Sequence, residues 1–127
     1  MAHLEHVNVT VADPKATAAV LIDLFDWHIR WEGPSMTEGY TVHVGDKDSY
    51  VALFAKPGAQ AELEPGASYG TRGGLNHIGI VVGDIDEVER RVKRAGYTPT
   101  NHGDYEPGRR FYFDEANGVE IEVISYP

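Results

Sequence analysis

Two histidines, His6 and His77, stand in matching contexts 71 residues apart. Each ends an L-x-H segment, LEH and LNH, and each opens an alternating aliphatic run, Val7 and Val9 in one case, Ile78 and Ile80 in the other. Imidazoles ligate divalent metals and move protons near neutral pH. A single strand histidine is more often solvent-facing or hydrogen-bonded than a ligand. A pair at equivalent positions of a repeat weighs more, because the repeat gives both the same face. A histidine turned into a sheet interior is also poorly explained by packing, since one ring nitrogen must still find a partner. A carboxylate source lies near the C-terminus. In NGVEIEVISY, Glu120 and Glu122 share one strand face while Val119, Ile121 and Val123 share the other. Glu120, beside a turn, suits a solvated position; Glu122, deeper in the strand, is the stronger candidate for chemistry.

The elements that must position these groups are legible from periodicity. Residues 4–13 alternate apolar and polar side chains, the period of a half-buried strand. Asp13 followed by Pro14 is a helix start, and ATAAVLIDLF continues at helical spacing through Leu21, Leu24 and Phe25. WHIRWEG, YTVHVG and YVALFA then read as strands separated by Gly-, Pro- and Asp-containing turns. Residues 57–74 are rich in glycine and proline, which marks a linker or mobile loop. After it the pattern restarts: a strand over 75–84, a helix IDEVERRVKRAGY closed at Gly96, and candidate strands PTNHGDY, RRFYFD and VEIEVISY. Asn117-Gly118 is the strongest hairpin signal in the chain.

Leu4, His6, Val11 and Asp13 thus recur as Leu75, His77, Val82 and Asp84. The expected fold class is α+β: two βαβββ modules in pseudo-twofold repeat, 1–56 and 75–127, joined by the 57–74 loop within one compact domain. One such unit cannot bury its own sheet face, so two must combine within the chain or across a dimer.

Composition narrows the functions. A net charge of −9 argues against non-specific nucleic-acid binding. The cluster Arg90, Arg91, Lys93 and Arg94 reads as a solvated helix face. With no cysteine, disulfides, thiolate zinc sites and cysteine nucleophiles are excluded. No apolar run approaches the roughly 18 residues of a membrane helix, and MAHLEHVNVTVAD is not a secretion signal. A soluble cytoplasmic protein without nucleic-acid or membrane partners is the expectation.

The paired L-x-H segments, the Asp-started helices and the closing D-x-x-N-G-x-x-I-E segment at 114–122 resemble the vicinal-oxygen-chelate superfamily. That group includes glyoxalase I, extradiol dioxygenases, methylmalonyl-CoA epimerase, fosfomycin-resistance thiol transferases and bleomycin-binding proteins. The resemblance spans nearly the whole chain and implies mixed sheets curving around a metal-site cleft. It also implies metal ligands at His6, His77 and Glu122, a two-histidine, one-carboxylate set that leaves positions open for a substrate with adjacent oxygens. Fe(II), Mn(II), Ni(II) and Zn(II) all suit such ligands. Aligning the closing strands of the repeats sets Ala52 opposite Glu122. Glyoxalase I-like members carry glutamate at the Ala52 position, so that reaction is disfavoured.

A metalloenzyme of dioxygenase or lyase/isomerase type is therefore expected, acting on a small oxygen-chelating molecule as a homodimer. The alternative is a non-catalytic binder of the bleomycin-sequestering type. His43 and His102 are acid/base candidates, each more simply read as a surface or packing residue. Arg109, Arg110 and Tyr112 are candidates for reaching an anionic or oxygen-rich substrate. Trp27, Trp31 and Phe54 are candidates for an apolar pocket, with core packing the simpler reading.

Overall fold

The computed structural model describes residues 1–36, 38–105 and 108–127. Its elements are β1 (His6–Thr10), α1 (Pro14–Phe25), β2 (His28–Pro34), β3 (Tyr40–Gly45), β4 (Tyr50–Ala55), a 3-10 turn (Ala67–Gly70), β5 (His77–Val81), α2 (Ile85–Arg94), β6 (Thr100–Tyr105), β7 (Gly108–Asp114) and β8 (Glu120–Ser125). The chain divides into two compact units, Met1–Ala61 and Glu62–Pro127. Each holds one four-stranded mixed sheet, ordered β1-β4-β3-β2 in the first and β5-β8-β7-β6 in the second. Both expected βαβββ modules are present. Among the described residues, no helix is long and apolar enough to cross a membrane.

The helices begin where the sequence places their caps. The Asp13 carboxylate accepts from the backbone N–H of Lys15 at 3.1 Å and of Ala16 at 3.2 Å, and Pro14 opens α1. Asp26, at φ 58°, ends the helix by donating its N–H to the Ile22 carbonyl. Asp84 caps α2 by accepting from the N–H of Glu87 at 3.1 Å. Asp86 and Glu87 lie in its first turn and Arg91, Lys93 and Arg94 in its last, each complementing the helix dipole. The basic cluster is held by the helix's own acids: Arg90, Arg91 and Arg94 reach Glu87, and Lys93 reaches Glu89. It is a solvated helix face, as its spacing suggests.

Each sheet buries one face under its helix. In the first unit Val42, Val44, Val51 and Leu53 are buried with Ala18, Leu21 and Leu24 of α1, which packs on β3 and β4. In the second, Phe111, Phe113, Ile121 and Val123 are buried with Ile85, Val88 and Val92, and α2 packs on β8. Alternation along each strand then forces the intervening residues onto the opposite face. That geometry frees the second face of each sheet for chemistry.

Several side chains with proposed chemical roles are committed to structure instead. Arg109 forks onto Asp86, with contacts of 2.9 and 3.3 Å, and ties β7 to α2. The His102 Nε2 lies 2.9 Å from Glu89 of α2 and its ring stacks on Phe111, while the residue also lines the pocket described below. Trp27 packs on Phe25, while Trp31 is half exposed and lies across Gly33, where a Cβ would meet its ring at 2.8 Å. The Asn117-Gly118 signal does join two antiparallel strands, β7 and β8, through the connection Glu115–Val119. Gly118 is at φ 82°, and the buried Glu115 carboxylate organises the turn by accepting from the N–H groups of Asn117 and Val119.

Two predictions follow from these contacts. Asp13→Ala should cost the first unit about 1 kcal/mol in urea unfolding, the usual loss for an N-cap carboxylate. The hydrogen bond and charge of Arg109 hold Asp86 below the ordinary aspartate range. Because that carboxylate is depressed in the folded state, its stabilisation is present above the unfolded pKa and fades as pH falls through the folded one. An NMR titration should show Asp86 titrating low in the parent and returning upward in Arg109→Gln.

Candidate metal centre

The helix-free face of the second sheet gathers an unusual set of polar groups. Cross-strand register aligns His77 with Glu120 and Gly79 with Glu122 along β5 and β8, and Tyr112 with Glu122 along β7 and β8. Directly opposed residues share a face, so His77, Glu120, Glu122 and Tyr112 converge. The His77 Nε2 lies 3.2 Å from Glu122 Oε1. Its Nδ1 lies 3.2 Å from the Tyr69 hydroxyl and 3.5 Å from Glu120 Oε1. Tyr69, in turn, donates to Glu120 Oε1 at 2.5 Å. The other oxygen of Glu122 accepts from Arg110 Nη1 at 2.8 Å, and both side chains are only 12–13% exposed.

The hydrogen-bond directions limit what can sit between His77 and Glu122. With its own proton given to Glu120, the Tyr69 oxygen is an acceptor for an Nδ1 proton of His77. A ring whose single proton sits at Nδ1 then turns its Nε2 lone pair toward a carboxylate oxygen 3.2 Å away, whereas a second ring proton makes the contact an ion pair. Two acceptors so placed repel unless a proton or a cation lies between them. Two donor atoms each about 2.1 Å from one ion, at a right angle, stand roughly 3 Å apart. The spacing therefore fits shared coordination, with Arg110 holding the second oxygen of Glu122 out of the way. The β5 backbone at Gly79 faces open space before Glu122, where a Cβ would find only Glu122 Oε1 within 4 Å, at 3.9 Å.

The phenols around the centre stay protonated near neutral pH. The hydrogen bond to Glu120 pushes Tyr69 up to about 12, with desolvation adding to it. Burial raises Tyr112, helped by its hydrogen bond to Glu122. An open pocket of about 580 Å³ adjoins the centre, lined by Tyr69, His77, Asn101, Gly103, Tyr112 and Glu120 among others. Asn101 stands at φ 52°, where β6 slips register between Thr100 and Gly103, so a bulge shapes one pocket wall.

The first unit repeats the plan with different side chains. His6 aligns with Tyr50 and Asn8 with Ala52 along β1 and β4, and His43 with Ala52 along β3 and β4. Tyr50 thus takes the place of Glu120, Ala52 that of Glu122, and His43 that of Tyr112. The pairing of Ala52 with Glu122 read from the repeat is the pairing the sheets make. His6, Tyr50 and His43 form a stack, with ring centroids 4.8 and 4.5 Å apart, and Arg30 lies over Tyr50. His6 Nδ1 lies 2.8 Å from Glu5 Oε1, which also accepts from the Tyr50 hydroxyl at 3.2 Å. Burial depresses the pKa of His43, and the neighbouring His6 and Arg30 lower it further, favouring the neutral ring.

The structure thus brings together His77, Glu122, Arg110 and Tyr112 in one unit, and His6 with His43 in the other. Within either unit, among the described residues, no three His, Asp or Glu side chains form a ligating group. Two participants were not anticipated from sequence. Glu120, read as a solvated turn residue, faces His77 and holds Tyr69. Tyr69 itself lies in the 57–74 segment, in the 3-10 turn, where a glycine-rich composition suggested only a linker.

Comparison with known proteins assigns the fold to a group. A comparison with curated proteins gives no match. Among solved structures, a glyoxylase/bleomycin resistance protein/dioxygenase domain from Frankia sp. EAN1pec superposes with a TM-score of 0.81 at 22% identity, covering 100% of this chain and 99% of that one. The fosfomycin resistance protein FosX from Mesorhizobium loti gives 0.69 at 19% identity, covering 98% and 91%. A mutant FosX from Listeria monocytogenes, complexed with Mn(II) and 1S,2S-dihydroxypropylphosphonic acid, gives 0.71 at 17% identity, covering 98% and 92%. At these identities the likeness is one of fold. The profile of the Glyoxalase/Bleomycin resistance protein/Dioxygenase superfamily matches residues 3–123, and the chain belongs to that superfamily.

Proposed function

We propose that this protein is a divalent-metal-dependent enzyme of the superfamily, acting on a small substrate that offers two adjacent oxygens. His6, His77 and Glu122 are the proposed ligands. The observation that carries the reading is the 3.2 Å apposition of His77 Nε2 and Glu122 Oε1, with the other atoms of both groups already engaged. The Mn(II) bound by the Listeria FosX relative is consistent with it, as Fe(II), Ni(II) or Zn(II) would be. A cation bound there supplies Lewis acidity toward a chelating substrate.

The chain's own residues divide the remaining work. Arg110 orients Glu122 and offsets its charge, a role that engages it away from substrate. Tyr112, protonated and donating to Glu122, helps to hold that carboxylate at the pocket wall. His43, favoured as the neutral ring, retains an unprotonated nitrogen able to accept a proton. It stands beside Ala52, where a glyoxalase I-like chain carries its glutamate. Dioxygenase and lyase or isomerase chemistry both suit this set better than a glyoxalase I reaction. A homodimer, supplying two equivalent sites, is the proposed assembly.

The open pocket of about 580 Å³ beside His77 also favours a second reading, a binder that holds its ligand without turnover. His77→Ala separates the two. Purified anaerobically, the parent protein should carry close to one equivalent of divalent metal. His77→Ala and Glu122→Gln should each lose metal by at least tenfold in affinity, together with turnover in a screen of catechols and 2-oxoaldehyde/thiol pairs. A binder keeps its ligand affinity in His77→Ala. A parent protein that takes up no metal on addition refutes the enzyme reading.

A further inference from the structure

Both proposed histidine ligands are held from behind in the same way, by different residues. At His77, Nδ1 meets the Tyr69 hydroxyl at 3.2 Å and Glu120 at 3.5 Å, and Tyr69 donates to Glu120. At His6, Nδ1 meets Glu5 at 2.8 Å, and Tyr50 donates to the same Glu5 oxygen. In each case a carboxylate oxygen that accepts from a phenol lies near the imidazole Nδ1, in hydrogen-bond contact at His6 and at 3.5 Å at His77, where the phenol oxygen is the nearer partner.

The sources do not correspond. In the second unit the carboxylate comes from β8 and the phenol from the 3-10 turn. In the first, the strand position equivalent to Glu120 holds the phenol, Tyr50, and the carboxylate is the residue preceding the histidine. Simple repetition of the module does not produce this result, because no residue of one pair aligns with its counterpart in the other. A common requirement accounts for it: each ring needs its Nδ1 proton fixed. A neutral imidazole has one proton to place, and a partner that captures it at Nδ1 leaves the lone pair at Nε2. An outer carboxylate of this kind both fixes the tautomer and makes the outward nitrogen a better donor to a cation.

We propose that Glu120 with Tyr69, and Glu5 with Tyr50, are positioning residues that lock His77 and His6 as Nε2 donors. This rests on the metal reading above. The proposal also gives the 57–74 segment a function, since Tyr69 is more than half exposed and makes its two polar contacts with His77 and Glu120. Ordering of the turn at Ala67–Gly70 and presentation of His77 are thereby linked.

The test uses the full-length protein with Tyr69→Phe and Glu120→Gln. Tyr69→Phe keeps the ring of an exposed residue, so its thermal unfolding should match the parent and any effect is not one of folding. In metal-free protein at a pH where imidazoles are neutral, nitrogen-15 spectra should show His77 and His6 protonated at Nδ1. Both variants should convert His77 to a tautomer mixture and leave His6 unchanged. Titration with Mn(II) alone should show affinity falling about tenfold in each variant. An Nε2-protonated His77 in the parent overturns the inference. So do variants with unchanged tautomer and unchanged affinity beside a parent that binds Mn(II). A parent that binds no Mn(II) overturns the metal reading itself, and the inference with it.

Discussion

The 3.2 Å contact between His77 Nε2 and a Glu122 carboxylate oxygen is the interaction on which the rest of this structure turns. In an isolated contact the two groups would rotate apart or the ring would flip. Here neither has that freedom. Glu122 is gripped by Arg110 and largely buried, and His77 is fastened at Nδ1 by Tyr69 and Glu120. Removing one member of so buried a charged pair is costly, typically about 3–5 kcal/mol, so the carboxylate stays where Arg110 holds it. The surrounding residues therefore hold the two groups in contact, the arrangement on which the metal proposal builds.

The fold makes that contact by ordinary means. Each helix covers one face of its sheet with aliphatic and aromatic residues, and strand alternation turns the polar residues outward on the other face. In β8 the buried Ile121 and Val123 anchor the strand, so Glu120 and Glu122 have no choice of side. Parallel pairing of β5 with β8 then fixes which carboxylate meets which part of His77. A one-residue slip would bury the glutamates and expose the core, so the register carrying the site is the one carrying stability.

Much of this was legible in the residues. The repeat of His6 as His77, the capping aspartates and the pairing of Ala52 with Glu122 all follow from periodicity, which local sequence records. What stayed hidden depends on contacts between distant segments. Glu120 looked like a turn residue because its neighbour in sequence is a turn; its neighbour in space is His77, set by a parallel pairing that no local pattern reports. Tyr69 was hidden by its glycine- and proline-rich surroundings, which describe chain flexibility and not where one aromatic side chain lands. Arg109 and Arg110 are adjacent and alike in sequence, yet alternation sends one to Asp86 on α2 and the other to Glu122. Only the second touches the candidate centre.

Superfamily membership sets the breadth of chemistry available, and the side chains narrow it. Alanine at position 52 removes a carboxylate from the first unit, while Glu122 keeps one in the second. The two units have thus diverged in the strand position that matters most while both retain a histidine on β1 or β5. Anomalous diffraction from crystals soaked with Mn(II) tests the central claim most directly. A peak about 2.1 Å from both His77 Nε2 and Glu122 Oε1 is the predicted result. A peak elsewhere, or none at that position with the His77–Glu122 contact intact, would contradict it.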